Sequence, residues 1–229
     1  MEGQCLLVAA VADGAGSAPL AEVGAVVSSR AAVESACAQL AAGLVPDDED
    51  GWHGLLSLTC SDARAAVEQE AARRSVSPRD LASTLIVVVA APGLVAAAQV
   101  GDGAAVAADP AGGLTALTAP DTGEYLNETT FLISPGALEG LQLRLWRGDV
   151  AHVALFSDGL EMLALKMPEG TPHGPFFAPL FRFVGGMADT EAAGTELAAF
   201  LGSARVRQRT DDDVTLLLAA RTDAGAICL

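Results

Sequence analysis

Short apolar runs that stop at an aspartate recur along this chain and limit the folds open to it. Val8 to Ala12 runs into Asp13-Gly14-Ala15-Gly16-Ser17. Ala96 to Gly101 meets Asp102-Gly103, and Val153 to Ser157 meets Asp158-Gly159. Near the C-terminus the order reverses, with Asp211-Asp212-Asp213 ahead of Val214 to Ala220. Apolar runs of this length bounded by glycine read as buried strands. A single Asp-Gly reads as an ordinary turn. Repeated in register with strand-like runs, the pattern instead delivers acids to strand ends. Asp13, Asp102 and Asp158 sit at C-terminal ends. Asp212 sits at an N-terminal start, so it reaches the same edge if the last strand is antiparallel to the others.

The intervening segments set what surrounds that edge. Residues 5–12 predict a strand. Ser17 predicts a helix cap, with Pro19 in the first turn of a helix from Leu20 to about Leu44. Pro46 to Gly51 is an acidic loop, read as a solvated link, and a second helix runs from about Trp52 to Arg74. Thr84 to Ala91 and Leu94 to Val100 form a hairpin about Pro92-Gly93. Ala104 to Ala108, Leu114 to Leu117 and Thr129 to Ile133 read as further strands. Leu141 to Arg147 and Ala151 to Ser157 read as a hairpin about Gly148-Asp149. Leu160 to Leu165 is a short helix or turn, and residues 168–175 form a loop. Helices follow over Ala178 to Gly185 and Thr190 to Leu201, then a strand over Val214 to Ala220. Helices, a run of antiparallel strands, helices and a strand do not make the alternating order of a doubly wound sheet. The expected class is α+β: a four-layer αββα sandwich, two antiparallel sheets face to face with helix pairs outside. No linker divides it, so residues 1–229 are expected to form one domain.

Composition narrows the partners. Half the chain is apolar (51%) but only 4% is aromatic, so the core must be built from Ala, Val and Leu. Acids outnumber bases 29 to 13, for a net charge of -16, which argues against nucleic acid or an anionic membrane as the main partner and suits cations. Cys5, Cys37, Cys60 and Cys228 form no CxxC pattern and are read as reduced thiols. No apolar run approaches the roughly 20 residues that span a bilayer. No basic region precedes an apolar N-terminal stretch, so a cytoplasmic location is expected.

Several carboxylates at one sheet edge raise one another's pKa. Divalent cations relieve that repulsion, and oxygen-only donors favour hard ions such as magnesium or manganese. Glycine after Asp13 can present the Gly14 carbonyl as a further ligand. Two ions roughly 3.5–4 Å apart would hold a bridging hydroxide for attack on phosphorus. His53, His152 and His173 adjoin none of these aspartates and are read as surface or packing residues. Trp52 and Trp146 are read as packing. Ser83-Thr84 lacks a neighbouring base and is read as a hydrogen bond at a strand start.

As an ordered set, Ala12-Asp13-Gly14-Ala15-Gly16-Ser17-Ala18, Ser83-Thr84-Leu85, Val100-Gly101-Asp102-Gly103, Phe156-Ser157-Asp158-Gly159-Leu160-Glu161 and Thr210-Asp211-Asp212-Asp213-Val214-Thr215 resemble the metal-dependent serine/threonine protein phosphatases of type 2C, in their compact bacterial branch. Gly123 to Thr129 also resembles a segment of that branch. The resemblance implies a two-metal site between the sheets, with Mn2+ or Mg2+ and in some members a third ion. It implies that Asp13 bridges both ions, that the Gly14 carbonyl binds one, and that Asp158 and Asp212 complete the other. Asp102, with Asp158, would form the weaker third site. The implied reaction is hydrolysis of phosphoserine or phosphothreonine in a protein substrate, such as one phosphorylated by a companion Ser/Thr kinase, by metal-bound hydroxide without a phosphoenzyme. The chain departs from the family pattern in three places. Family members usually have an earlier strand with a phosphate-gripping arginine and an acid near the metals, whereas no arginine precedes Asp13 here and Glu2 is the only acid. Arg30, Arg144 and Arg147 are candidate replacements, each otherwise a plain surface charge. Position 15 is Ala where some members carry histidine, and Asp213 stands where Asn is usual. The missing arginine motivates an alternative: a catalytically weak module that binds a phosphorylated signalling partner. A hydrolase for small phosphoesters is a third possibility.

Overall fold

The computed structural model describes residues 6–43, 45–120, 129–221 and 227–228. Glu2, Cys5, Leu44 and the 123–128 part of the motif above lie outside the described residues, as does the side chain of Cys228.

Two antiparallel sheets carry the fold. The first has the order β1 (Leu7–Val11), β2 (Leu85–Ala91), β3 (Leu94–Val100), β6 (Gln142–Arg147). The second has the order β11 (Ile227–Cys228), β10 (Leu216–Arg221), β7 (His152–Phe156), β4 (Ala104–Ala108), β5 (Leu114–Ala116). Helices α1 (Ala21–Ala41) and α2 (Glu49–Arg74) cover the first sheet. The short α3 (Glu161–Ala164), α4 (Gly174–Gly186), α5 (Thr190–Leu201) and α6 (Ala204–Arg207) cover the second. A two-stranded ribbon, β8 (Leu165–Lys166) and β9 (Thr171–Pro172), lies between α3 and α4. This is the expected αββα sandwich.

The central strands lack a polar face because both faces are covered. In β2, Leu85, Val87 and Val89 pack toward α1 and α2, while Ile86, Val88 and Ala90 pack toward the opposite sheet. The inter-sheet core is filled largely by small and β-branched residues, among them Ala9, Ala97, Ala105, Ala107, Val153 and Ala219. That is the core expected of a chain with few aromatic residues.

Four local readings change. Ser17 does not cap α1; Leu20 precedes the helix with no side-chain cap. The chain turns at Ala15 to Ala18, and Leu20 is instead held by its N–H donating to the Asp80 carbonyl at 2.9 Å. The acidic loop is in part a helix start: Asp48 accepts from the Gly51 N–H at 2.8 Å, so α2 begins at Glu49. Thr129 to Ile133 is not a strand; Ser134 folds it into a turn by bonding back to Phe131 through both side chain and backbone. Strands β6 and β7 are not a hairpin. β6 pairs with β3 in the first sheet, whereas β7 pairs with β4 and β10 in the second, so the chain changes sheets at Gly148–Val150. Burial explains the difference. β7 is buried nearly throughout and needs a neighbour on each side, whereas the half-exposed β6 suits an edge. Helix α6 has no counterpart in the sequence reading.

Helix α1 meets its neighbours along a stripe of small residues: Gly24, Ser28, Ala32 and Ala36. A β-carbon at Gly24 would sit 2.0 Å from the Leu81 carbonyl oxygen, a backbone atom with little room to move. Helix propensity alone favours Ala over Gly by about 1 kcal/mol. Packing reverses the sign here. Gly24→Ala is expected to destabilise the chain by about 2 kcal/mol or more in chemical unfolding, the scale of an overpacked core.

Candidate metal centre

The sheet pairings bring the motif aspartates to one edge. β1 and β3 each run antiparallel to β2, so Asp13 and Asp102 leave the first sheet at the same end. Ala104 and Leu216 both lie opposite Phe156, so Asp102, Asp158 and Asp212 share an edge of the second sheet. Asp102 belongs to both sheets, because the chain passes from β3 to β4 through Gly101–Gly103.

Each acid is held by its own local structure. The Asp13 N–H donates to Thr84 Oγ1 at 3.0 Å, and the Asp13 carbonyl accepts from the Thr84 N–H at 2.8 Å. Ser83-Thr84 thus acts at the strand start as the sequence suggests, locking the backbone of Asp13. Asp102 rides on a turn fixed from below by the buried Gln99, whose Nε2 donates to the carbonyls of Gly101 at 2.9 Å, Gly103 at 2.7 Å and Ala119 at 3.0 Å. Gly101 has φ +103°, a conformation that side-chain-bearing residues rarely adopt. Thr129 Oγ1 donates to Asp102 Oδ2 at 2.5 Å. Asp158 follows Ser157, whose Oγ accepts from the Thr215 N–H at 3.0 Å and donates to the Asp213 carbonyl at 3.4 Å. Gly159 lets this loop close on Asp213: a β-carbon there would lie 2.2 Å from the Asp213 carbonyl oxygen. Gly14 likewise serves close packing, since a β-carbon would sit 2.7 Å from Ala21 Cβ.

The carboxylates feel one another. The Asp13 carboxyl is pushed up from 3.8 to about 7, by burial first, then by the charge of Asp158, a hydrogen bond with it, and the charge of Asp212; the Gly14 N–H opposes the rise. Asp158 is also raised, by burial and then by the charges of Asp102 and Asp212, while its bond with Asp13 pulls the other way. Glu161, which the sequence reading gave no role, belongs to the same cluster: burial and then the charges of Asp158 and Asp102 raise it. Asp158 Oδ1 is buried with no hydrogen-bond partner. An orphaned carboxylate oxygen among oxygen-only donors fits a hard divalent cation. Among the described residues, no three acidic, imidazole or thiol side chains already surround one point as a ready metal site. Asp212 accounts for part of this, because it is exposed and its Oδ1 accepts from the Asp213 N–H at 2.8 Å.

The other candidates stand elsewhere. His152 stacks on Phe181 with ring centroids 4.9 Å apart, His53 lies 3.8 Å from Glu49 on α2, and His173 precedes α4. Trp52 is a core residue, and Trp146 packs against the inter-sheet core. Cys60 is buried, and Cys37 is exposed on α1. Arg147 lies opposite Leu94, at the end of the first sheet remote from the acids, and Arg144 lies opposite Ala97, half-way along β3. Arg30 is exposed on α1. Among the described residues, the guanidinium that touches the acidic edge is Arg207 on the unforeseen α6, donating to the Asp212 carbonyl at 3.3 Å.

The profile of the protein phosphatase 2C family matches residues 1–202. The chain is 34% identical over 225 residues to serine/threonine-protein phosphatase 3 of Escherichia coli (strain K12), covering 94% of this chain and 84% of that protein. The chain belongs to the protein phosphatase 2C family. Solved structures share its fold. The serine/threonine phosphatase Stp1 of Staphylococcus aureus superimposes with a TM-score of 0.59 at 18% identity, over 95% of this chain and 84% of that one. The catalytic domain of the phosphatase PstP, solved in complex with two manganese ions, superimposes with a TM-score of 0.54 at 16% identity, over 96% and 89%. The chain is thus a serine/threonine protein phosphatase of a metal-dependent family. Among its described residues no helix is long and apolar enough to cross a membrane.

Asp13 has a consequence for the stability of this phosphatase. Between about pH 4 and pH 7 its carboxyl holds a proton in the folded chain that the unfolded chain has released. Without divalent ions, stability therefore falls as pH rises through that window and levels off above it. Partial exposure of Asp13 reduces the effect to on the order of 1 kcal/mol. In urea titrations with chelator, Asp13→Asn is expected to flatten this slope and to be more stable than the parent at pH 8. An unchanged slope would assign the proton to another group.

Proposed function

We propose that this phosphatase hydrolyses phosphoserine and phosphothreonine in proteins using two divalent ions, manganese or magnesium, at the common edge of its two sheets. Asp13, the Gly14 carbonyl, Asp158 and Asp212 would hold the ions, and Asp102 with Asp158 would form a weaker third position. The observation that carries this reading is the Asp13–Asp158 pair: two adjacent carboxylates, one pushed up to about 7, the other with a buried, unpartnered oxygen. Such a pair is costly without a cation and becomes favourable with one. The manganese held by PstP supports the same class of ion here.

When bound, the ions supply Lewis acidity, which makes a water nucleophilic near neutral pH and offsets the charge of the phosphoryl group. The chain's residues supply position. Thr84 fixes the backbone of Asp13, and Gln99 fixes the turn that carries Asp102. Ser157 ties the Asp158 loop to the Asp213 carbonyl and the Thr215 N–H, which links the segments that bear the acids at the two strand ends. Asp212 is the adaptable member: exchanging the Asp213 N–H for a cation requires only a side-chain rotation of an exposed residue. Arg207, beside Asp212, is the nearest identified source of positive charge for the phosphate dianion.

The substrate would be a phosphorylated protein, the product of a companion Ser/Thr kinase, met in the cytoplasm. The binding-module alternative rests on the missing arginine alone, and the similarity to serine/threonine-protein phosphatase 3 does not favour it.

Turnover of a phosphothreonine peptide is the direct test. Hydrolysis is expected with manganese or magnesium and should disappear with chelator. Asp158→Asn is expected to lower manganese-dependent kcat/KM by about 100-fold or more, the loss typical of an essential electrostatic group. Undiminished turnover in that variant would overturn the site assignment, and chelator-resistant hydrolysis would overturn the metal reading.

A further inference from the structure

Helices α4 and α5 do not close on one another. α5 buries none of its residues, although Leu197, Phe200 and Leu201 lie along one side of it. Between α4, α5 and α6 lies a concave groove of about 470 Å3. That volume falls within the range of small-molecule sites, roughly 300–1,000 Å3. None of the motif aspartates lines it.

The lining is selective. Phe176, Phe183 and Phe200 all face the groove, three of only seven phenylalanines in the chain. Aromatic walls of this kind favour a flat ring, which can meet them edge-on or offset. Arg205 and Arg209 also line the groove, four residues apart along the chain. Neither makes an ion pair among the described residues. One acid, Glu196, shares the lining. Two uncommitted guanidiniums beside an apolar cleft, in a chain of net charge -16, call for an occupant that is apolar over most of its surface and negative at one point. A wholly apolar partner would leave those charges against an apolar surface.

We propose that this groove binds a small planar aromatic carboxylate, its ring against Phe176, Phe183 and Phe200 and its carboxylate against Arg205 and Arg209. The groove adjoins both halves of the acidic edge. Met162 and Leu163 in its wall follow directly on Glu161, and α6 presents Arg207 to the Asp212 carbonyl from the turn that also carries Arg205 and Arg209. An occupant there is therefore placed to reach the Asp158 and Asp212 segments without entering the carboxylate cluster.

Binding of 2-naphthoate to the full chain in chelator, followed by titration calorimetry, tests the site without requiring turnover, so its outcome is separate from that of the phosphatase assay. Saturable one-to-one binding is expected. Arg205→Glu combined with Arg209→Glu should weaken it by about 10-fold or more, as loss of charge-assisted bonds implies. Arg207→Glu changes the net charge half as much as that pair but does not line the groove, and should leave naphthoate affinity within about 2-fold. All of these positions are exposed, and circular dichroism confirms that each variant is folded. Equal or tighter binding of 2-naphthylmethylammonium would overturn the charge assignment. Tighter binding of dodecanoate than of naphthoate would overturn the aromatic class. Absence of saturable binding would overturn the site, as would a ligand-free dimer in sedimentation that the Arg205→Glu, Arg209→Glu variant abolishes, since the occupant would then be a second copy of the chain.

Discussion

Carboxylate repulsion at one edge of a β-sandwich is the constraint on which the rest of this structure turns. Asp13 and Asp158 come from different sheets, and neither sheet alone would bring them together. The inter-sheet core does so by burying small and β-branched side chains between strands that end at the same level. The cost of that convergence appears as the raised carboxyls of Asp13, Asp158 and Glu161. The fold meets that cost with backbone geometry rather than with neutralising cations: Thr84, Gln99 and Ser157 fix the loops, and Arg207 approaches only a carbonyl. A site built this way keeps its negative charge available. That is what a cation-binding site needs, and what a site designed for stability alone would avoid.

The glycines after the aspartates serve the same end by a different route from the one the sequence suggests. Asp-Gly invites a reading in which glycine supplies an unusual backbone conformation. Here Gly14, Gly103 and Gly159 supply absence of bulk. A β-carbon would meet Ala21 at Gly14, the Phe156 carbonyl at Gly103, and the Asp213 carbonyl at Gly159. Each contact brings a neighbouring segment against the loop that bears an acid. Only Gly101, ahead of Asp102, has the positive φ that the turn reading calls for.

Much of the architecture was legible because local signals and tertiary demands agreed. β1, the β2–β3 hairpin, β4 and α5 follow from apolar runs with clear punctuation, and the motif aspartates fall next to strand ends as those runs imply. What stayed hidden was decided by partners distant in sequence. Gly148-Asp149 can close a hairpin or redirect a strand, and only the need of β7 for neighbours on both sides settles which. Ser17 has the chemistry of a cap, but the Asp80 carbonyl, across the fold, holds the start of α1. Gln99 reads as one polar residue in an apolar strand. Its role appears only when the Gly101, Gly103 and Ala119 carbonyls converge on it, although a lone glutamine in such a run was a signal that a backbone group needed a donor. Glu161 lay inside a quoted motif, and its neighbourhood to Asp102 follows only from the pairing of β4 with β7.

The distribution of positive charge bears on how such a chain handles an anionic substrate. With a net charge of -16 and a carboxylate cluster at its centre, the chain repels a phosphate dianion at long range. On the proposed mechanism, cations must therefore bind first, and they convert the most repulsive point on the surface into the most attractive. Little further positive charge is then needed near the site. The placement of Arg147 at the far end of the first sheet, and of Arg207 as the guanidinium bonded to the acidic edge among the described residues, is consistent with that. An arginine bonded directly to Asp13 or Asp158 would compete with the ions for the same oxygens. One bonded to the Asp212 carbonyl leaves those oxygens free.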